Sequence, residues 1–161
     1  MSQEQNQKKE DAADQAGSTS QKSDPGNLPL VVLAVDDDPV ILKFYGHALS
    51  KVGVRFESTA DPRHTLDLVA KTHPNLVILD LAMPGVKGMD LLYRIREQAP
   101  ETRVAIITGQ YSIATALQAI QAGAIEYVCK PVSPDKLHEL LEKVRRLIAD
   151  EPGTSPRDSA P

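Results

Sequence analysis

Leu76-Val77-Ile78-Leu79-Asp80-Leu81-Ala82-Met83-Pro84-Gly85-Val86-Lys87-Gly88 is an apolar run that ends in a carboxylate and then breaks into a turn. Leu76 to Leu79 do not alternate with polar residues. As a strand this segment is therefore covered on both faces, the pattern of a parallel sheet flanked by helices. Met83-Pro84-Gly85 turns the chain. Asp80 then stands at the carboxyl end of a central strand, where open α/β sheets place their ligands. Alone this says little, because an aspartate at a strand end commonly serves an Asx-turn or a helix cap.

Outward from this run the same pattern repeats. Upstream, Leu30 to Val35 is a second continuous apolar run. It breaks into Asp36-Asp37-Asp38-Pro39, with Pro39 suited to the first turn of a helix. Ile41, Phe44, Tyr45, Ala48, Leu49 and Val52 recur at helical spacing, Gly46 weakens that helix slightly, and Gly53 is placed as its C-cap. Val54 to Ser58 reads as a short, half-polar edge strand. Pro62 to Lys71 reads as a helix with Leu66, Leu68 and Val69 facing inward, stopped before Pro74. Downstream, Met89, Leu91, Leu92 and Ile95 mark a helix that ends before Pro100, and Val104 to Ile107 form a buried strand terminating in Thr108-Gly109. Ile113, Ala116, Leu117 and Ile120 mark a further helix closed by Gly123. Its outer face is expected to show Thr115, Gln118 and Gln121, and it carries no charge between Ser112 and Ala122. Ile125 to Cys129 makes the last strand, ending in Lys130-Pro131. Ser133 then caps a final helix lined by Leu137, Leu140, Leu141, Val144 and Ile148, with Glu139/Lys143 and Glu142/Arg146 spaced to pair. Five strands alternating with five helices imply a parallel sheet with helices on both faces, since each crossover returns right-handed.

Composition narrows the function. Residues 28–149 carry the apolar periodicity, and about 120 residues is the size of one domain. Residues 1–27 hold almost no large apolar side chains, so burial cannot offset their ordering entropy and a disordered tail is expected; residues 150–161 form a second tail. The chain shows no signal h-region and no apolar run long enough to span a bilayer, so it reads as cytoplasmic with no membrane insertion. Cys129 is the only cysteine and is expected to fill core space. A net charge of −4 and 4% aromatic residues argue against direct nucleic-acid binding. His47, His64, His73 and His138 lack metal-ligand spacing and read as surface or solvent-bridging residues. Lys143, Arg145 and Arg146 read as a solvated helix end.

In a parallel sheet the strand-terminal groups Asp36, Asp37, Asp80, Thr108 and Lys130 are all delivered to one edge. Carboxylates a few ångströms apart repel by ~4 kcal/mol per pair at an effective dielectric near 20. One lysine cannot neutralise three of them. A divalent cation is expected, and all-oxygen ligation beside carboxylates suits Mg²⁺, which prefers to share a phosphoryl oxygen.

These residues resemble the receiver domains of two-component response regulators, over Leu30 to about Ala149. The match lies in the acid pair Asp36-Asp37, Asp80 in a DLxMPG context, Thr108 after the fourth strand, and Tyr127-Val-Cys-Lys130-Pro131. The resemblance implies a flavodoxin-like, doubly wound five-stranded parallel sheet of order 2-1-3-4-5 with five helices. It implies phosphorelay signalling in which Asp80 accepts a phosphoryl group from a sensor histidine kinase or a phosphotransfer protein. Asp36, Asp37, Asp80 and the backbone carbonyl of Ala82 would hold Mg²⁺, and Lys130 would pair with the phosphoryl oxygens. Thr108 and Tyr127 would be the switch, and Pro131 would follow a cis peptide bond. By that resemblance the domain is a phosphoacceptor with self-catalysed chemistry only, and no enzyme. Lys87 stands where the family often has an acid, and the positions that tune phosphoryl lifetime carry Ala82 and Gln110. Since the chain stops soon after the fifth helix, no attached output module is expected. A protein effector, as yet unnamed, would receive the signal, with the chain a monomer or weak dimer.

An alternative comes from Asp36-x-Asp38-x-Val40, which also fits the nucleophile motif of haloacid-dehalogenase-like phosphatases. That reading needs a later acid pair and a cap domain, neither of which follows, and it leaves Asp80 idle. A binding module of the same fold would not need three acids at one edge, and no glycine-rich phosphate loop follows the first strand.

Overall fold

The unbroken apolar runs become the inner strands of a parallel sheet. The structure, a computed structural model, describes residues 29–152. The tails expected over residues 1–27 and past 152 lie outside the described residues. Val31–Val35 (β1), Arg55–Thr59 (β2), Leu76–Leu79 (β3), Arg103–Thr108 (β4) and Ala124–Cys129 (β5) pair in the order β2-β1-β3-β4-β5, all parallel. Pro39–Leu49 (α1), Thr65–Thr72 (α2), Gly88–Gln98 (α3), Ile113–Gln121 (α4) and Pro134–Ala149 (α5) cover the two faces. This is the flavodoxin-like order 2-1-3-4-5.

Strand alternation divides the core in two. Val32, Ala34, Leu76, Ile78, Ala105 and Ile107 face α1 and α5 and pack on Tyr45, Leu49, Leu137 and Leu141. Leu33, Val35, Val77, Leu79, Val104 and Ile106 face the other way, onto Val69, Leu91, Leu92 and Ile95. Both half-cores are closed to solvent, as the absence of alternation required. Extending each row by two residues places Asp36 and Asp80 on the α1/α5 side and Thr108 on the other.

Local chemistry sets the helix ends. The Asp38 side chain accepts from Val40 N to cap α1, Ser112 accepts from Thr115 N to cap α4, and Ser133 accepts from Lys136 N to cap α5. The helix expected to continue to Val52 leaves α geometry at Leu49, tightens into a 3-10 turn over Ser50–Val52, and is closed by Gly53 at φ 65°. Pro62–His64 is likewise a 3-10 turn ahead of α2. His73, at φ 45°, adopts the left-handed cap of α2 that glycine would more easily take.

Three expectations are corrected. Ile113, Leu117 and Ile120 do not face the core: they are 74%, 58% and 48% exposed. The only buried residue of α4 is Ala119, flanked by half-buried Thr115, Ala116 and Ala122. Small side chains let α4 lie against the edge strand β5, which has too little width to cover a row of large ones. Thr115, expected outside, is therefore turned inward. Cys129 is exposed rather than core-filling, because β5 is an edge strand paired only with β4. On α5, Lys143 donates to Glu126 Oε2 at 2.7 Å and Ile125 O at 2.6 Å instead of pairing with Glu139, which takes Lys136 at 3.3 Å. Glu142 pairs with Arg145 at 3.5 Å rather than with Arg146.

Gly88 opens α3 directly against the strand end. A Cβ there would lie 2.5 Å from Leu81 Cα and 3.1 Å from Asp80 O, both backbone atoms that cannot swing away. Gly88→Ala is expected to lower unfolding stability by about 1–3 kcal/mol or more in denaturant titration. Gly109, where a Cβ meets nothing within 4 Å, should accept alanine within about 0.5 kcal/mol. Equal effects at the two positions would contradict the packing described.

Candidate functional site

Beyond the carboxyl ends of β1 and β3 the two alternating rows terminate in Asp36, 1% exposed, and Asp80, 4% exposed. Buried carboxylates need partners. Asp36 Oδ1 accepts from Asp38 N at 2.9 Å and Asp80 Oδ1 accepts from Ala82 N at 3.0 Å, so a backbone amide orients each group. Their other oxygens share one cation: Lys130 Nζ donates to Asp36 Oδ2 at 2.6 Å and to Asp80 Oδ2 at 3.1 Å. Lys130 arrives from the end of β5, which is tied to β4 by the bond from Lys130 N to Thr108 O at 2.9 Å. The Lys130–Pro131 peptide bond is cis.

The charges do not balance. Burial raises the Asp36 pKa above the ordinary carboxylate value, and the hydrogen bonds from Lys130 and Asp38 only partly offset this. Burial would lower the Lys130 ammonium, but its bonds to Asp36 and Asp80 outweigh that and hold its pKa above the usual value. Asp37, exposed, adds a third carboxylate: ligand oxygens of Asp36, Asp37 and Asp80 lie within 4.8 Å of one another. Three acids against one lysine leave an excess of negative charge. The all-oxygen donor set fits a hard divalent cation such as Mg²⁺.

Thr108 is fully buried and points to the opposite side of the sheet from Asp80. Its Oγ1 accepts from Gln110 N at 3.3 Å, while Tyr127 OH donates to Gln110 O at 3.2 Å. Thr108 and Tyr127 thus hold the two backbone groups of one loop residue. Tyr127 also meets Tyr111 edge-on at 6.3 Å. Beside them lies a cleft of about 420 Å³ lined by Ala82, Lys87, Met89, Thr108 and Tyr127.

Every strand-end residue picked from sequence is thus at one edge, though in two groups: Asp36, Asp37, Asp80 and Lys130 together, Thr108 with Tyr127 on the far side of the sheet. Asp38, the second acid of the alternative phosphatase motif, is exposed and spends its side chain on the α1 cap. The histidines do not converge; His138 lies against Ala48 O at 3.1 Å, joining α5 to α1. Sequence reasoning missed two features. The role of Gln110 is carried by its backbone, which no side-chain pattern reveals. Tyr45, placed as an ordinary core residue, proves to be a buried phenol whose hydroxyl has no partner.

A doubly wound parallel sheet with an acid cluster, a lysine and a buried threonine along its carboxyl edge defines a class of signalling module. The chain belongs to the response regulator receiver domain family, whose model matches residues 32–142. It is a receiver domain of two-component signalling. It is 32% identical over 133 residues to response regulator MprA of Mycolicibacterium vanbaalenii, covering 83% of this chain and 55% of that protein. With response regulator protein PilR of Pseudomonas aeruginosa it shares 33% identity over 127 residues, 79% of this chain and 28% of the relative. The chain thus spans about half, or less, of the length of these relatives. Among solved structures, a CheY-like response regulator receiver domain from Methanospirillum hungatei superposes with a TM-score of 0.72 at 28% identity, over 77% of this chain and all of the other. The receiver domain of a Luxo repressor protein from Vibrio parahaemolyticus gives 0.72 at 26% identity, over 76% and 94%. Among the described residues no helix is long and apolar enough to cross a membrane.

Proposed function

We propose that residues 28–149 act as a phosphoacceptor that takes a phosphoryl group onto Asp80 from the phosphohistidine of a sensor histidine kinase or phosphotransfer protein. The observation that carries this reading is the shared lysine: Asp80, buried at a strand end, offers one oxygen oriented by Ala82 N and another resting on Lys130. In the transfer an Asp80 oxygen forms a P–O bond as the donor P–N bond breaks, and the imidazole leaves and recovers its proton. Lys130 moves with the phosphoryl oxygens and neutralises part of their charge. Asp36, Asp37, Asp80 and the Ala82 carbonyl would hold Mg²⁺, which supplies further charge neutralisation at the phosphoryl group. The domain is its own substrate rather than an enzyme acting on others. Incubation with Mg²⁺ and a small acyl phosphate should give one acid-stable, base-labile phosphoryl group per chain. No label, or label independent of Mg²⁺, would contradict the reading.

Output follows from the Gln110 loop. If Thr108 turns its hydroxyl to a phosphoryl group, the bond from Gln110 N is lost and the loop shifts. The Tyr127 bond to Gln110 O is then lost with it, and Tyr127 is free to enter the adjoining cleft. Next to it α4 shows Ile113, Leu117 and Ile120, an apolar stripe without charges that suits docking of a protein partner. With the phosphoryl mimic beryllofluoride, amide NMR shifts are expected at Thr108, along Ser112 to Ala122 and around Tyr127. Shifts confined to the acid cluster would refute this route.

A further inference from the structure

Tyr111 is 64% exposed, yet its ring is engaged: it meets Tyr127 edge-on, with centroids 6.3 Å apart and planes at 66°. Among the described residues no hydrogen bond involves the Tyr111 hydroxyl, so the ring is what this side chain contributes. Tyr111 stands between two residues that tie the loop to its surroundings. Gln110, before it, takes the Tyr127 hydroxyl on its carbonyl at 3.2 Å and gives its amide to Thr108 Oγ1 at 3.3 Å. Ser112, after it, caps α4 by accepting from Thr115 N. Three consecutive residues thus grip Tyr127, the Thr108 hydroxyl and the start of α4. Tyr127 is held twice, at its phenol oxygen by a backbone carbonyl and at its ring by a neighbouring aromatic. It is half-buried, packs against the half-core that holds Val104 and Ile106, and borders the same cleft as Tyr111. Resting on the phosphoacceptor reading above, we propose that Tyr111 is a positioning residue for the switch: its ring latches Tyr127 in the outer position and so sets how strongly the unphosphorylated domain resists a phosphoryl group at Asp80.

The bond from Tyr127 OH to Gln110 O is exposed, and water can replace it, so by itself it is a weak restraint on the ring. An edge-on aromatic pair adds to it a factor of about two to ten in the population of the outer position. Both restraints come from adjacent residues of one loop and are released together when Thr108 turns its hydroxyl away from Gln110 N. A contact made in one state alone biases the equilibrium by its full strength, whereas a contact kept in both states biases nothing. Tyr111 therefore lowers the apparent affinity for a phosphoryl mimic by the same factor by which it favours the unphosphorylated form. The two effects have opposite signs: loss of the ring costs unliganded stability and tightens binding.

The test uses the full chain, the variants Tyr111→Ala and Tyr111→Phe, and Mg²⁺ with beryllofluoride as the probe. Because Tyr111 is mostly exposed, Tyr111→Ala removes the ring without opening the core. Its affinity for beryllofluoride should be about twofold to tenfold tighter than wild type. Its unliganded unfolding midpoint should fall slightly, and at saturating mimic the two proteins should unfold together. Tyr111→Phe keeps the ring and should match wild type in both measurements. In the unliganded Tyr111→Ala protein the NMR signals of the Tyr127 ring should lie part of the way toward their positions in mimic-bound wild type. An affinity unchanged or weakened in Tyr111→Ala, Tyr127 signals that stay at their wild-type unliganded positions, or Tyr111→Phe behaving like Tyr111→Ala would overturn the inference. Failure of wild type to bind the mimic at all would overturn the phosphoacceptor reading instead.

Discussion

Asp80→Asn is expected to reduce phosphoryl labelling to background while leaving a cooperatively folded domain. Asparagine keeps the planar shape, and its carbonyl oxygen can still accept from Ala82 N or from Lys130, so the contacts that fix the β3 end persist. What is lost is a nucleophilic carboxylate oxygen, for which the amide is no substitute. The change also takes one negative charge out of a cluster in which ligand oxygens of three acids lie within 4.8 Å. Metal-free stability should therefore hold or rise, whereas a purely structural aspartate would make the same substitution destabilising. Intact mass after incubation with a phosphodonor, together with denaturant unfolding of the same sample, checks both halves. Full labelling of Asp80→Asn would end the assignment.

The second large effect concerns the cation. Mg²⁺ at about a hundred times its dissociation constant should stabilise the wild-type domain by about 2.7 kcal/mol, a midpoint shift of several degrees, because it binds a site the unfolded chain lacks. Asp37→Asn should erase most of that gain. Asp37 is exposed and none of the hydrogen bonds or ion pairs described involves its carboxylate, so its loss removes a ligand without opening the core. In the absence of Mg²⁺ the variant should match or exceed the wild type, since repulsion with Asp36 and Asp80 is relieved. Thermal unfolding with and without millimolar Mg²⁺ separates these outcomes, and a midpoint indifferent to Mg²⁺ in the wild type would count against a cation site.

The sheet was legible because parallel strands buried on both faces leave a plain mark. Val31–Val35, Leu76–Leu79 and Arg103–Thr108 owe their apolar runs to helices above and below, and the polar residue that ends each run falls at the edge by topology alone. The acid cluster was readable for the same reason. The edge strand and its helix were not. Apolar spacing in α4 marked Ile113, Leu117 and Ile120 as inward, yet Ala119 and its small neighbours pack on β5 and the large side chains face out. Periodicity finds the apolar face but cannot tell whether core or partner covers it. Cys129 was misplaced on the same strand for the same cause. The ion pairs of α5 also escaped, because Lys143 found Glu126 across a tertiary contact that i,i+4 spacing does not encode. The unpaired Tyr45 hydroxyl lay beyond any pattern: a tyrosine on an apolar stripe looks like a phenylalanine until its oxygen is placed.

The central claim is that Asp80 is the acceptor. The most direct measurement is peptide-resolved mass spectrometry of protein labelled with Mg²⁺ and a small acyl phosphate, with the acyl phosphate reduced by borohydride before digestion to mark the site. The mark should fall on Asp80 alone and vanish in Asp80→Asn. A mark on Asp36, as the alternative phosphatase chemistry requires, or on any residue away from the Lys130 cluster, would contradict the account.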